Sequence, residues 1–152
     1  FYHYFKGKEA LLNSLSYLFD QKYAELYGVI DPALSAYDKL LFLNHELFYM
    51  IKTSVDIKLL AYLYSSQLIT KDKKSLSDHK RFYFTWITEI IQTALDNEEF
   101  KNTSTTEELV NIYAMYERAI LYDWALFKGK FDLTDYSDKL LPHVLDTFVE
   151  GV

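Results

Sequence analysis

The sequence predicts an all-α fold from two observations. Residues that break helices are scarce, with 4 Gly and 2 Pro among 152 residues. Apolar side chains recur at spacings of three and four over long stretches, the signature of a helix with one face turned to a core. Half of the residues are hydrophobic, with 14 Tyr and 11 Phe. A chain of this length suits one domain with a sizeable core.

The elements follow in order. A first helix is expected from Lys8 to about Gly28, with Leu11, Leu12, Leu15, Leu18, Phe19, Tyr23, Leu26 and Tyr27 as its apolar set. Glu9 suits the positive end of its dipole, and Gly28 suits its stop. At 1.5 Å per residue it spans about 31 Å, enough to connect two layers. Asp31-Pro32 marks a second start, because proline fits an early helical position. That helix runs to about Lys52 on Tyr37, Leu40, Leu41, Asn44, Leu47, Phe48 and Ile51. A third is expected from Val55 or Asp56 to Ile69, apolar on more than one side. The fourth spans Leu76 to about Glu99, capped by Ser75 or Ser77, with Phe82, Tyr83, Trp86, Ile87, Ile90, Ile91, Ala94 and Leu95 as a broad stripe.

The fifth helix, about Thr106 to Lys128, carries two stripes. Leu109, Tyr113, Tyr116, Ile120, Trp124 and Phe127 form one; Ile112, Met115, Ala119, Tyr122 and Leu126 form the other. Two stripes mean two buried faces, one for the core and one for a partner. Thr105 and Glu108 have capping-box spacing, and Gly129 suits a stop. The last helix runs from Asp135 to Glu150 behind Thr134 as N-cap. Pro142 lies inside it and removes one backbone bond, so a kink or a break is expected.

Several chemistries lack their usual residues. There is no Cys, hence no disulfide, thiolate metal site or Cys nucleophile. His3, His45, His79 and His143 form no i, i+3 or i+4 pair and no zinc spacing, so no metal is expected. No Gly-x-Ser-x-Gly elbow or Gly-rich phosphate loop occurs, and no enzymatic role or cofactor is expected. The pairs Glu98-Glu99 and Glu107-Glu108 suit helix ends better than acid–base work. No apolar run reaches transmembrane length and no signal peptide is seen, so no membrane partner and a cytoplasmic location are expected. The net charge of -6 argues against nucleic-acid binding by this chain alone. Residues 71–81 hold five bases against two acids, read as a solvated loop.

The opening segment is more specific. Phe1-Tyr2-His3-Tyr4-Phe5 leads through Lys6-Gly7-Lys8 into the first helix. Lys8 combines a cation with free N–H groups at a helix start, a suitable pair for a phosphate oxygen. Phe5 and Leu11 fit packing positions. The segment resembles the end of the recognition helix and the start of helix 4 in TetR-family regulators. The family pattern is an apolar residue, Tyr, two residues often aromatic or His, Phe, then Lys and Leu three residues apart. Phe1, Tyr2, His3, Tyr4, Phe5, Lys8 and Leu11 sit in register with it. The stretch from Tyr116 to Leu126, with Gly129 to Leu133, also looks like the family's penultimate helix and its turn.

The resemblance implies a helical effector-binding domain at 8–152, preceded at 1–7 by the end of a helix-turn-helix whose remainder lies outside this sequence. It implies DNA-backbone contacts from Tyr2, His3, Tyr4 and Lys8, and operator binding through that missing region. It implies a homodimer whose last two helices form a four-helix bundle, with Met115, Ala119, Tyr122, Leu126, Leu141, Val144 and Phe148 at the interface. It implies a repressor released by a small hydrophobic or aromatic effector held among the middle helices. A helical homodimer with no small-molecule ligand is the competing expectation.

The effector candidates are Asn44, Phe48, Tyr64, Tyr83, Trp86, Tyr113 and Glu117. Their rings either fill a helical core or line a cavity with a few polar handles. Asn44 is either a core amide with a backbone or water partner or an orienting group for a ligand. Glu117 is either solvated between the two stripes or buried, where it needs a partner such as Arg118 of a neighbour or a cationic ligand.

Overall fold

The computed structural model describes residues 7–69, 81–101 and 103–151, with the side chains of 7–15, 63, 64 and 66–69 outside the description. Among the described residues there are six helices and no strand: α1 (Gly7–Val29), α2 (Ala36–Ser54), α3 (Ile57–Ile69), α4 (Phe82–Asp96), α5 (Thr106–Leu126) and α6 (Leu133–Glu150). None is long and apolar enough to cross a membrane.

The helices bury one continuous core. α2 packs chiefly on α6 and α4 chiefly on α5, while α1 leans on α2, α3 and α4. Tyr23, Leu40, Leu43, Leu47, Phe48, Ile51, Leu60, Ile87, Tyr113, Leu141 and Phe148 are fully buried. Apolar residues at helical spacing explain why each helix lays one face inward.

Several boundaries differ from expectation. Asp31 starts a turn rather than a helix: its carboxylate accepts from Ala33 N at 2.9 Å, and its carbonyl accepts from Leu34 N at 3.2 Å. α2 begins at Ala36, behind an extended Ser35 whose Oγ accepts from Asp38 N. Glu99 completes this cap from beyond α4. Its two oxygens accept from Ala36 N and Tyr37 N, both at 3.0 Å. A carboxylate at the positive end of a helix is favourable, here supplied from another part of the chain.

α4 does not run through residue 81, because Arg81 is extended and acts as its N-cap. The expected start at Leu76 and the caps Ser75 and Ser77 lie outside the described residues. α5 begins as expected at Thr105, with both halves of the capping box made to Glu108 at 3.1 and 2.8 Å. It ends at Leu126, and the turn after it holds Lys128, with φ of 55°, and Gly129, with φ of 72°. The left-handed backbone favours glycine here, and a Cβ would also approach Ile57 Cδ1 to 2.9 Å and have to displace that methyl. α6 is capped by Asp132, whose carboxylate accepts from Asp135 N at 3.0 Å, not by Thr134. Thr134 instead accepts from Lys52 Nζ at 2.9 Å. Pro142 sits inside α6, which continues past it to Glu150 without division.

Candidate functional site

The core contains one concentration of polar side chains. Glu117 lies on the inward face of α5, 2% exposed. It is neither solvated nor in line with the outer stripe. Tyr113, Glu117, Ile120, Leu121 and Trp124 form a single buried row. Asn44 Nδ2 donates to Glu117 Oε2 at 2.9 Å, and the Tyr83 hydroxyl donates to Oε1. Asn44 Oδ1 accepts from Ser137 Oγ at 2.6 Å. Ser137 Oγ in turn accepts from the Tyr116 hydroxyl at 2.9 Å. Tyr113 lies next to this chain and donates to the carbonyl of Leu40 at 2.7 Å. A carboxylate of α5 thus gathers partners from α2 and α4, and reaches α6 through Asn44.

The electrostatics follow from this geometry. Burial pushes the Glu117 carboxyl up to about 7, against the opposing pull of its bonds to Tyr83 and Asn44 and the field of Arg118. Burial, reinforced by the Glu117 charge, also raises the phenols of Tyr23, Tyr83 and Tyr113 well above the ordinary tyrosine range. Neutral donors alone bond the carboxylate; no cation lies in ion-pair contact with it among the described residues. Such a group holds its proton far more readily than an exposed glutamate.

Two residues that the sequence did not single out join α1 to this cluster. Tyr23 of α1 is fully buried, and its hydroxyl has no hydrogen-bond partner. Its ring lies 4.9 Å from that of Tyr83 and edge-on to Trp86 at 5.6 Å. Asp20, one turn earlier, accepts from Tyr83 N at 3.1 Å and from Arg81 Nε at 3.1 Å. Arg81 also reaches the carbonyl of Ser16 at 3.3 Å, and its guanidinium lies over the rings of Phe19, Tyr83 and Phe84. The reading of residues 71–81 as a solvated loop therefore fails at Arg81, whose side chain is only 9% exposed. Periodicity marks Tyr23 as a core position but says nothing of its hydroxyl.

The effector candidates separate into groups. Asn44, Tyr83, Tyr113 and Glu117 come together. Trp86 lies away from the carboxylate, on an open groove of about 360 Å³ between the α1–α2 connection and α4. Phe48 is fully buried and lines neither this groove nor the cavity beside Glu117. The side chain of Tyr64 lies outside the described residues. The cavity against Glu117, bounded by Phe19, Leu47, Arg81, Tyr83, Arg118 and Leu121, measures about 10 Å³. That is about the space of one water.

The expected interface also separates. Ile112, Met115, Tyr122 and Leu126 are exposed at 38, 50, 46 and 56%, and Ala119 is exposed between them. Val144 is half-buried. Leu141 and Phe148 are a correction: both are fully buried in the chain's own core. Phe127, placed with the inner stripe, is 54% exposed because α5 has ended before it. Tyr2, His3 and Tyr4 lie outside the described residues. Lys8 falls in the first turn of α1, with its side chain outside the description.

Comparison with family models, with curated proteins and with solved structures finds no match for this chain.

Proposed function

We propose that this chain is the sensing and dimerising part of a TetR-type, ligand-responsive transcriptional regulator, a repressor released from its operator by a small hydrophobic or aromatic effector. The observation that carries the reading is the position of α1. This helix begins where the Phe1–Leu11 pattern places the end of a DNA-reading domain, and its second half rests on the Glu117 cluster through Tyr23 and Asp20. A displacement at the cluster has a direct mechanical path to the helix that would carry the DNA-reading head.

In this reading Asn44, Tyr83, Tyr113 and Glu117 orient the effector, and aromatic side chains supply its apolar contact. The outer stripe of α5, Ile112, Met115, Ala119, Tyr122 and Leu126, together with Val144, is the surface a second copy covers. Two DNA-reading heads must meet half-sites about 34–36 Å apart, so a small tilt of α1 is enough to spoil binding. The effector acts as an inducer by favouring the state that cannot bind DNA.

A second reading, a helical homodimeric interaction domain without a small-molecule ligand, is favoured by the small cavity beside Glu117. The two separate in one experiment on the full-length protein. Operator binding is measured by gel shift with and without aromatic compounds that raise its melting temperature. Release by such a compound, weakened in Asn44→Ala, supports the regulator. Intact operator binding with no stabilising compound supports the filled-core homodimer. Failure to bind any DNA removes the regulator.

A further inference from the structure

The open groove beside Trp86 lies apart from the Glu117 cluster, and its two walls come from different parts of the chain. One wall is a stripe of α4 in which Trp86, Glu89, Ile90 and Thr93 recur at helical spacing. The other is the α1–α2 connection and the start of α2, with Pro32, Leu34 and Lys39. The space between them, about 360 Å³, falls in the size range of small-molecule sites. One end of the groove is fixed. Glu98 holds a left-handed backbone with φ of 63°, and Asn97 Oδ1 accepts from Glu99 N at 3.0 Å. That turn brings the Glu99 carboxylate onto Ala36 N and Tyr37 N, which ties the end of α4 to the start of α2. Walls already in place spare a ligand much of the cost of ordering its site.

Two charged side chains on these walls have no partner. α4 contains no Lys or Arg, so Glu89 has no cation three or four residues away on its own helix. Lys39 has Ser35, Ala36, Phe42 and Leu43 at those spacings, and no acid. Among the described residues neither side chain joins an ion pair or a hydrogen bond. Lys39 also stands in the first turn of α2, where the helix dipole disfavours a cation. Local helix stability therefore explains neither charge. Glu99, the other acid of the groove, has both oxygens committed to α2. Glu89 is exposed and Lys39 half-buried, so both can meet a molecule that enters from solvent. The apolar part of the lining is Pro32, Leu34, Ile90 and Trp86, and the indole is backed by Tyr27 and Phe82 at 5.0 and 5.9 Å. A cation and an anion thus stand on opposite walls of one groove, with an apolar seat, and do not neutralise each other.

We propose that this groove binds a small amino carboxylate with an aromatic or branched apolar side chain, a free amino acid being the simplest: Glu89 receives the ammonium, Lys39 the carboxylate, and Trp86, Leu34 and Ile90 the side chain. A molecule that carries both charges satisfies both walls at once, whereas a singly charged one leaves either Glu89 or Lys39 without a partner. The site is distinct from the residues around Glu117 and does not rest on the regulator reading. Its test needs neither DNA nor effector.

The protein is titrated with L-phenylalanine and L-leucine, followed by calorimetry and by the indole N–H resonances of its 2 tryptophans. Trp124→Phe assigns these resonances. Saturable movement of the Trp86 resonance is expected, with that of Trp124 unmoved. Phenethylamine and 3-phenylpropionate, each lacking one charge, should bind more weakly than phenylalanine. Glu89→Gln should weaken phenylalanine about three- to fivefold, the scale of one exposed ion pair, and leave phenylpropionate unchanged. Lys39→Gln should weaken phenylalanine by a similar factor and leave phenethylamine unchanged. Neither position is in the core, and circular dichroism checks that both variants keep the fold. Absence of saturable binding by both amino acids up to about 10 mM overturns the site. So does phenylalanine affinity that is unchanged in either variant, or phenethylamine binding as tight as phenylalanine. If Trp124→Phe does not fold, calorimetry on the parent protein and the two surface variants decides by itself.

Discussion

Replacing Glu117 by Gln should remove a pH dependence of stability that its buried carboxyl supplies near neutral pH. The folded protein raises this carboxyl from 4.5 to about 7. The folded state therefore binds the proton more tightly than the unfolded chain does. The resulting stability is fully present below the unfolded pKa and is lost as pH rises through the folded one. At 1.36 kcal/mol per unit, the shift from 4.5 to about 7 corresponds to about 3 kcal/mol between pH 4.5 and 8. Asp132 and Glu108 are shifted the other way, so their contribution is lost only in acid, below this interval. The assay is urea unfolding at pH 5 and pH 8. With a slope of about 1–3 kcal/mol per molar, wild-type midpoints should fall by roughly 1–3 M between these values. Glu117→Gln should lose this fall, because a neutral amide carries no buried charge at either pH. It should be slightly less stable than wild type at pH 5, where its amide fits two donors less well than a protonated acid does. Equal pH dependence in both proteins would refute the assignment of a buried, nearly uncompensated charge to Glu117.

Three further outcomes follow from particular contacts. Glu99→Ala should cost about 1–2 kcal/mol in thermal or urea unfolding, because two N–H groups at the start of α2 lose their acceptor; a loss below a few tenths would mean water replaces it freely. Gly129→Ala should cost on the order of 1–2 kcal/mol, combining a left-handed backbone with the 2.9 Å approach to Ile57; a neutral result would mean that this turn relaxes. Tyr122→Glu should leave the fold unchanged by circular dichroism and give monomer by sedimentation, since its side chain is 46% exposed on an apolar stripe; an unaffected dimer would place the interface elsewhere.

Much of the helical layout is legible without coordinates. Apolar spacing locates each of the six helices, and local signals close those ends whose partners are near in sequence. Thr105 with Glu108, and the stop at Gly129, are examples. The errors fall where a cap comes from far along the chain. α2 starts at Ala36 under Glu99, and α4 takes Asp20 of α1 on its Tyr83 N–H, at separations that periodicity cannot register. Asp31-Pro32 looked like a start because proline suits one, yet the acid forms a local turn.

The candidate site divides the same way. The sequence by itself determined which side chains could be polar handles in an apolar setting: Asn44, Glu117 and the tyrosines stand out against their stripes. Whether Glu117 faced water or core was decided by tertiary structure, because about half a turn of phase on α5 separates the exposed row of Met115, Ala119 and Tyr122 from the buried row of Tyr113, Glu117 and Trp124. Only packing turned these residues from separate helices toward one carboxylate, and only packing consumed Leu141 and Phe148 in the core. The physical reason is range. Helix propensity and local caps act over a few residues, whereas burial and the pairing of buried polar groups depend on which faces meet in space.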